Sequence, residues 1–178
     1  IRMNTMSLYE SGDSSGAISL KELCDGNLRM QMVDEASLAD LALFIVRGGW
    51  PANISVAPDK AHLMPKAYME GVIKEDLHTL DEEIDYNPHK VRLLLKSLAR
   101  NEATTASDAS ILKDIVENDN ETMSRNTVAK YTSALNRLFL LNNQEPFSPN
   151  IRSSLRVKQS EKRHFSDPAM ACAVLNLT

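Results

Sequence analysis

Asn87-Pro-His-Lys-Val-Arg-Leu-Leu-Leu-Lys-Ser-Leu-Ala-Arg-Asn101 is the stretch on which the fold reading turns. Val91, Leu94, Leu95 and Leu98 recur at helical spacing, Pro88 stands near a first helical position, and the pattern runs out near Asn101. Two shorter helical patterns follow. Residues 107–118 carry Ile111, Leu112, Ile115 and Val116, and residues 124–138 carry Val128, Tyr131, Leu135 and Leu138, with Ser124 or Asn126 as the cap. Phe139-Leu-Leu141 then reads as a strand entering the turn region 142–149, and Val157 to Phe165 as its returning partner. Helix, helix, helix, strand, basic loop, strand is the order of a winged helix-turn-helix with a small β-hairpin, in which the third helix is presented outward. Asp167-Pro168 looks like the cap and first position of a last short helix, residues 169–175.

Working back toward the N-terminus, the chain stays mainly α. Leu38, Leu41, Ala42 and Ile45 fall at helical spacing, and Leu43, Phe44 and Val46 widen the apolar face, which predicts a well-buried helix over residues 37–46. Gly48-Gly-Trp-Pro51 ends it, because glycine takes a left-handed cap and proline cannot continue the ladder. A second helix is expected from about Pro58 to about Glu82, with Ala61, Met64, Tyr68, Met69, Val72, Ile73, Leu77 and Leu80 as its stripe. Pro65 should either kink it or mark a restart in its first turn. Residues 18–24 suggest a short helix. Residues 1–9 read as the end of a strand, and the Ser, Gly and Asp of residues 10–16 as a surface loop. No internal repeat is visible.

At 178 residues, with 43% hydrophobic and 25% charged residues, this is one ordinary domain or two small ones. No apolar run approaches a membrane span. Cys24 and Cys172 have no metal-ligand spacing and point to a reducing, cytoplasmic setting. The net charge of −4 hides a polarity: residues 1–122 carry 21 acidic and 12 basic side chains, residues 123–178 carry 3 and 8. Arg125, Lys130, Arg137, Arg152, Arg156, Lys158, Lys162 and Arg163 make the last third a surface for polyanions. A lone strand at the start, with no sheet to pair with, suggests a piece of a longer chain.

Motifs for chemistry are few. There is no GxxxxGK[ST] loop, and Gly12-Asp-Ser-Ser-Gly16 lacks the lysine that would make one. His62, His78, His89 and His164 stand apart from the cysteines and from each other, and no nucleophile triad assembles by spacing. The acidic run 81–85 reads as a solvated helix end. The corner Gly48-Gly-Trp-Pro51 has two readings: a helix cap followed by an anchoring tryptophan, or a close-approach corner with a flat ring facing an aromatic ligand such as adenine. The basic segment from Arg152 through Arg163 is either a solvated loop or a phosphate-tracking surface, beside which Arg125, Asn126, Thr127 and Lys130 would meet base edges from the third helix. A winged helix can equally be a protein-contact module, so the basic face has a partner chain or the protein's own acidic half as its other expected occupant.

Met6-Ser-Leu-Tyr-Glu-Ser-Gly-Asp-Ser-Ser-Gly16, Val46-Arg-Gly-Gly-Trp-Pro51, Leu94-Leu-Lys-Ser-Leu-Ala-Arg-Asn101, Ile111-Leu-Lys-Asp-Ile115, Thr127-Val128 with Tyr131, Arg137-Leu-Phe139, Phe147-Ser-Pro149 and Lys162-Arg-His-Phe-Ser-Asp-Pro168 together resemble a large prokaryotic family of predicted AAA-type ATPases with a C-terminal domain of unknown function. The resemblance spans essentially the whole chain. It implies that the P-loop and acidic Walker B strand lie upstream and a nuclease-like part downstream. Residues 1–30 would then end the ATPase core, 31–87 would form a helical lid, and 88–178 a winged-helix domain. It further implies that Gly48, Gly49, Trp50 and Pro51 lie against the adenine of ATP, bound with Mg in the full-length protein, and that Arg47 reaches its phosphates. On this reading the piece itself carries no catalytic residue and holds no nucleotide tightly. Its role would be nucleotide sensing and the coupling of hydrolysis to DNA or a partner. The other expectation is a non-enzymatic DNA-binding module.

Overall fold

The structure, a computed structural model, describes residues 4–27, 36–80, 86–147 and 160–178. Helices dominate: α1 (Leu20–Cys24), α2 (Leu38–Arg47), α3 (Leu63–Gly71), α4 (Leu77–Leu80), α5 (Pro88–Arg100), α6 (Asp108–Asp119), α7 (Arg125–Arg137) and α8 (Pro168–Leu175). Their starts are written in small polar residues. Ser37, Asn87, Ser107, Ser124 and Asp167 each accept a backbone N–H of the first turn through the side chain, and at Ser37 the Asp40 carboxylate reaches back to complete a capping box. Pro88 and Pro168 occupy first-turn positions where no N–H is needed.

The long expected second helix is broken into pieces. A 3₁₀ turn, Pro58–Lys60, precedes α3, and Pro65 sits in the first turn of α3, so the proline marks a restart. Between α3 and α4 the helix widens into a π turn, Val72–Asp76, which keeps Val72, Ile73 and Leu77 on the buried side. The acidic run 81–85 lies outside the described residues.

Helix α5 is the centre of the molecule. Val91, Leu93, Leu94, Leu95, Leu98 and Ala99 are all buried, because α5 has α8 on one side, α6 on another and the π turn on a third. Its partner α8 is nearly all small and apolar, Pro-Ala-Met-Ala-Cys-Ala-Val-Leu, and packs against α5, α3 and α2. The segments on either side of residue 87 therefore share one core, in which Met69, Val72 and Ile73 join Leu94, Leu135, Phe165 and Met170. Each fully buried leucine contributes roughly 1.5–3 kcal/mol of transfer free energy. Polar ties set the helix registers. Arg100 donates to both Asp114 and Asp119, Ser97 Oγ donates to the Ile111 carbonyl at 3.2 Å, and Arg92 holds Glu70 with two bonds of 2.9 Å.

Three expectations need correction. Helix α2 is not well buried: Leu38 is 83% exposed and Leu41 and Ile45 are exposed beside it, because only one side of α2 has α8 to pack on. No strand forms within residues 4–9; Met6 makes a single backbone bond to Gly49, and Ser7 to Glu10 is a turn. Phe139 is not in a strand either, since it takes a left-handed φ of 58° and ends α7 in a turn. Pairing begins one residue later. Ser166 N donates to Leu140 O, Asn142 N to His164 O, and Gln144 and Lys162 exchange both bonds, giving two isolated antiparallel bridges, Leu141 with Phe165 and Gln144 with Lys162. On its other side the 160s segment meets the α5–α6 connection: Ala103 N donates to Arg163 O and Arg163 N to Thr104 O. No strand is assigned among the described residues.

Candidate functional site

The corner after α2 is built by exclusion of side chains. Gly48 caps α2 with φ 67°, a backbone conformation that disfavours any Cβ. A Cβ there would lie 2.7 Å from the Ala169 Cβ and 2.8 Å from Trp50 Cδ1, and closer still to Asp167 Oδ1. At Gly49 the reason is approach alone, since a Cβ would meet the Met6 backbone. The vacated space admits a buried carboxylate. Asp167, fully buried, accepts the Gly49 N–H at 2.7 Å on Oδ2 and the Ala169 N–H at 2.9 Å on Oδ1, so one side chain caps α8 and ties it to the corner. Asn53, also buried, donates to the carbonyls of Arg47 and Ala61 and locks the turn that follows.

Arg47 lies at the end of α2 and is buried. Its guanidinium stacks 5.2 Å above the Phe44 ring and grips Asp13 through Nη1 and Nη2, at 3.3 and 2.5 Å, while Nε has no partner. The Arg47 hydrogen bonds, with one from Ser11, hold the Asp13 carboxyl below its ordinary range. Trp50 turns the other way: its ring meets Tyr68 edge-on, 4.9 Å between centroids, and packs on the core. Pro51 is exposed at the start of a 3₁₀ turn.

Of the five corner residues, Arg47, Gly48 and Gly49 come together on one groove of ≈ 370 Å³, whose other walls are Leu41, Phe44 and Ile45 of α2, residues 5–8, and Asp167 with Pro168. Its lining is mostly apolar. Trp50 and Pro51 are not part of its lining. Sequence reasoning missed Asp13, Asn53 and Asp167. Asp167 was legible only as a helix cap, and the other two come from loops whose pairing no local pattern announces.

The basic residues divide. Arg125, Asn126 and Lys130 are exposed on the N-terminal half of α7, and neither Arg125 nor Lys130 has a charged partner among the described residues. Thr127 donates its N–H to Ser124 Oγ at the cap, and the two hydroxyls hydrogen-bond each other. Lys162 is exposed at the paired segment. Arg163, in contrast, is spent on structure: it donates to the Ala106 carbonyl and pairs with Asp108 at 2.6 Å, pinning the start of α6. Arg152, Arg156 and Lys158 lie outside the described residues. A polar hollow at the base of the paired segment was not foreseen: His164 Nδ1 meets Glu102 Oε1 at 2.8 Å, Glu102 Oε2 accepts the Phe165 N–H, and Asn142, Asn143 and Gln144 line the rest. No group of three or more metal-ligating side chains occurs among the described residues, and no described helix is long and apolar enough to cross a membrane.

No curated protein and no solved structure matches the chain. A family model described as a domain of unknown function, DUF8612, matches residues 38–178, from the first residue of α2 to the residues that follow α8, and the chain belongs to that family.

Proposed function

We propose that this chain is the nucleotide-sensing lid and winged-helix segment of an AAA-type ATPase, with the adenine of ATP resting in the groove beside Gly48 and Gly49. One observation carries the reading. The groove of ≈ 370 Å³ has apolar walls from Leu41, Phe44 and Ile45 and a buried arginine whose Nε is unsatisfied, which suits a flat heteroaromatic ring with an anionic tail. The exposed leucines of α2 fit a face that an upstream ATPase core would cover. Arg47 would exchange Asp13 for phosphate. Because Asp167 joins Gly49 to the start of α8, and residues 160–166 lead directly into Asp167, a shift of the corner would be carried to the paired segment as a rigid-body motion.

A winged-helix reading of residues 88–178 is supported by connectivity. The α5–α6 connection pairs with the 160s segment, which pairs in turn with residues 140–144, and this is the order in which a winged helix lays its short strands. The test is nucleotide titration of the full-length protein carrying Leu41→Glu, a change at an exposed position that puts a negative charge into the groove. ATP affinity should fall by at least about tenfold, equivalent to about 1.4 kcal/mol. Unchanged affinity would overturn the assignment.

A second reading rests on Arg125, Lys130 and Lys162, which stand exposed and without a charged partner among the described residues: we propose duplex DNA as the ligand of these cations, with a partner protein as the competing occupant. Charge reversal at Arg156, Lys158 and Lys162 should flatten the dependence of DNA affinity on salt. An absence of DNA binding at low salt would dismiss it in favour of a protein contact.

A further inference from the structure

A second cleft, unrelated to the nucleotide corner, opens where three helices meet. Helix α3 and the π turn contribute Lys66, Met69, Glu70 and Ile73, at positions i, i+3, i+4 and i+7; α5 contributes Arg92, Leu95 and Lys96; and Ala173, Val174 and Asn176 close it from the end of α8. It holds ≈ 210 Å³. Its floor is apolar, with Met69, Ile73 and Leu95 each at or below 5% exposure. The charges at its rim do not cancel. Glu70 is consumed by the two bonds from Arg92 and by Lys74 at 3.5 Å, whereas the ammonium groups of Lys66 and Lys96 have no hydrogen bond or ion pair among the described residues.

The cleft thus sets two cations, unpartnered among the described residues, beside a hydrophobic floor. Lys96 is partly buried and Lys66 is exposed at the rim, and neither has an anionic partner among the described residues. The π turn lies at the same place, with Ile73 in the cleft wall, and such widened turns cost backbone regularity that a plain helix would keep. We infer that the cleft between α3, α5 and α8 is a binding site for a small amphipathic carboxylate, its carboxyl group held between Lys66 and Lys96 and its hydrocarbon body resting on Met69, Ile73, Leu95 and Val174. The volume suits a short chain rather than a long lipid. A ligand seated there touches the helices on both sides of residue 87 at once, so its occupancy braces α3 against α5 and α8.

Octanoate is the probe, with 1-octanol as the same hydrocarbon without the charge, each titrated into the full-length protein and followed by amide chemical shifts. Octanoate should shift the amides around Met69, Ile73, Leu95 and Val174 and bind at least about tenfold more tightly than octanol, the worth of one charged hydrogen bond. The Lys66→Gln/Lys96→Gln pair should remove that preference while leaving the melting temperature in place, because neither ammonium group makes a bond that holds the fold. Equal affinity for octanoate and octanol, a preference that survives in the double variant, or shifts confined to the α2 groove would each overturn the inference. An unchanged octanoate affinity in Leu41→Glu separates this site from the nucleotide corner.

Discussion

Helices α2 and α5 carry much the same apolar pattern and meet opposite fates. In α5, Leu94 and Leu95 are fully buried, because α6, α8 and the π turn surround it. In α2, Leu38, Leu41 and Ile45 face outward at 83%, 45% and 47% exposure, and the buried side chain is an arginine. Periodicity in a sequence says that a helix has an apolar stripe; which stripe is covered is decided by the elements available to cover it. One helix thus holds the domain together, and the other offers a surface with a groove at its end.

This contrast is broken most decisively by truncating one leucine on each side. Leu94→Ala should cost about 2–5 kcal/mol of unfolding free energy, through lost transfer energy and a cavity that rigid neighbours cannot fill. Leu41→Ala should stay within about 0.5 kcal/mol. Chemical denaturation of the two variants measures both, and comparable losses would mean that α2 is packed after all. Next in size is the clasp between the two regions. Gly48→Ala forces a Cβ into a left-handed backbone and against Asp167 and Ala169, and should cost about 1–3 kcal/mol. Asp167→Ala, which leaves the Gly49 and Ala169 amides without their acceptor, should cost a similar amount. A neutral Asp167→Ala would leave the corner and α8 uncoupled.

A smaller effect sharpens the comparison through acid titration. Burial pushes the Asp114 carboxyl up, but the bonds from Arg100 outweigh it and hold the carboxyl below its ordinary range. Asp13 is held below its ordinary range chiefly by Arg47. A depressed carboxyl contributes stability that is present above its unfolded-state value, near 3.9, and is lost as pH falls through the lower folded value. Stability should therefore decline below about pH 4. Arg100→Gln should reduce the Asp114 part of the decline, leaving what Ser97 and Asn118 hold, and Asp13→Asn should remove only the part belonging to the α2 corner. A decline that neither change alters would place the acid-sensitive groups elsewhere.

Much of the helical frame was legible because its signals are local. Asn87-Pro88 and Ser124 each combine a cap with a pattern that repeats over more than three turns, Asp167-Pro168 is a cap and first position on their own, and the structure begins α5, α7 and α8 there. The misreadings share a physical reason, which is that they depend on partners distant in the chain. Exposure of α2 depends on what packs beside it, the Arg47–Asp13 pair joins residues 34 positions apart, and Arg163 meets Asp108 across 55. In sequence the Gly-Gly corner reads as a helix cap or as a close-approach corner for a ligand; in the structure Gly48 caps α2, with Asp167 against Gly48 and the Met6 backbone against Gly49. Trp50, the residue that suggested an aromatic ligand, instead anchors the turn on Tyr68.

Amide hydrogen exchange on the full-length protein, with and without saturating ATP, tests the central claim most directly. If the α2 groove receives the nucleotide and Asp167 transmits it, exchange should slow at residues 41–49 and at residues 167–170, with the interior of α5 unchanged. Saturation with ATP that leaves both of those stretches exchanging at their free rates would contradict the account.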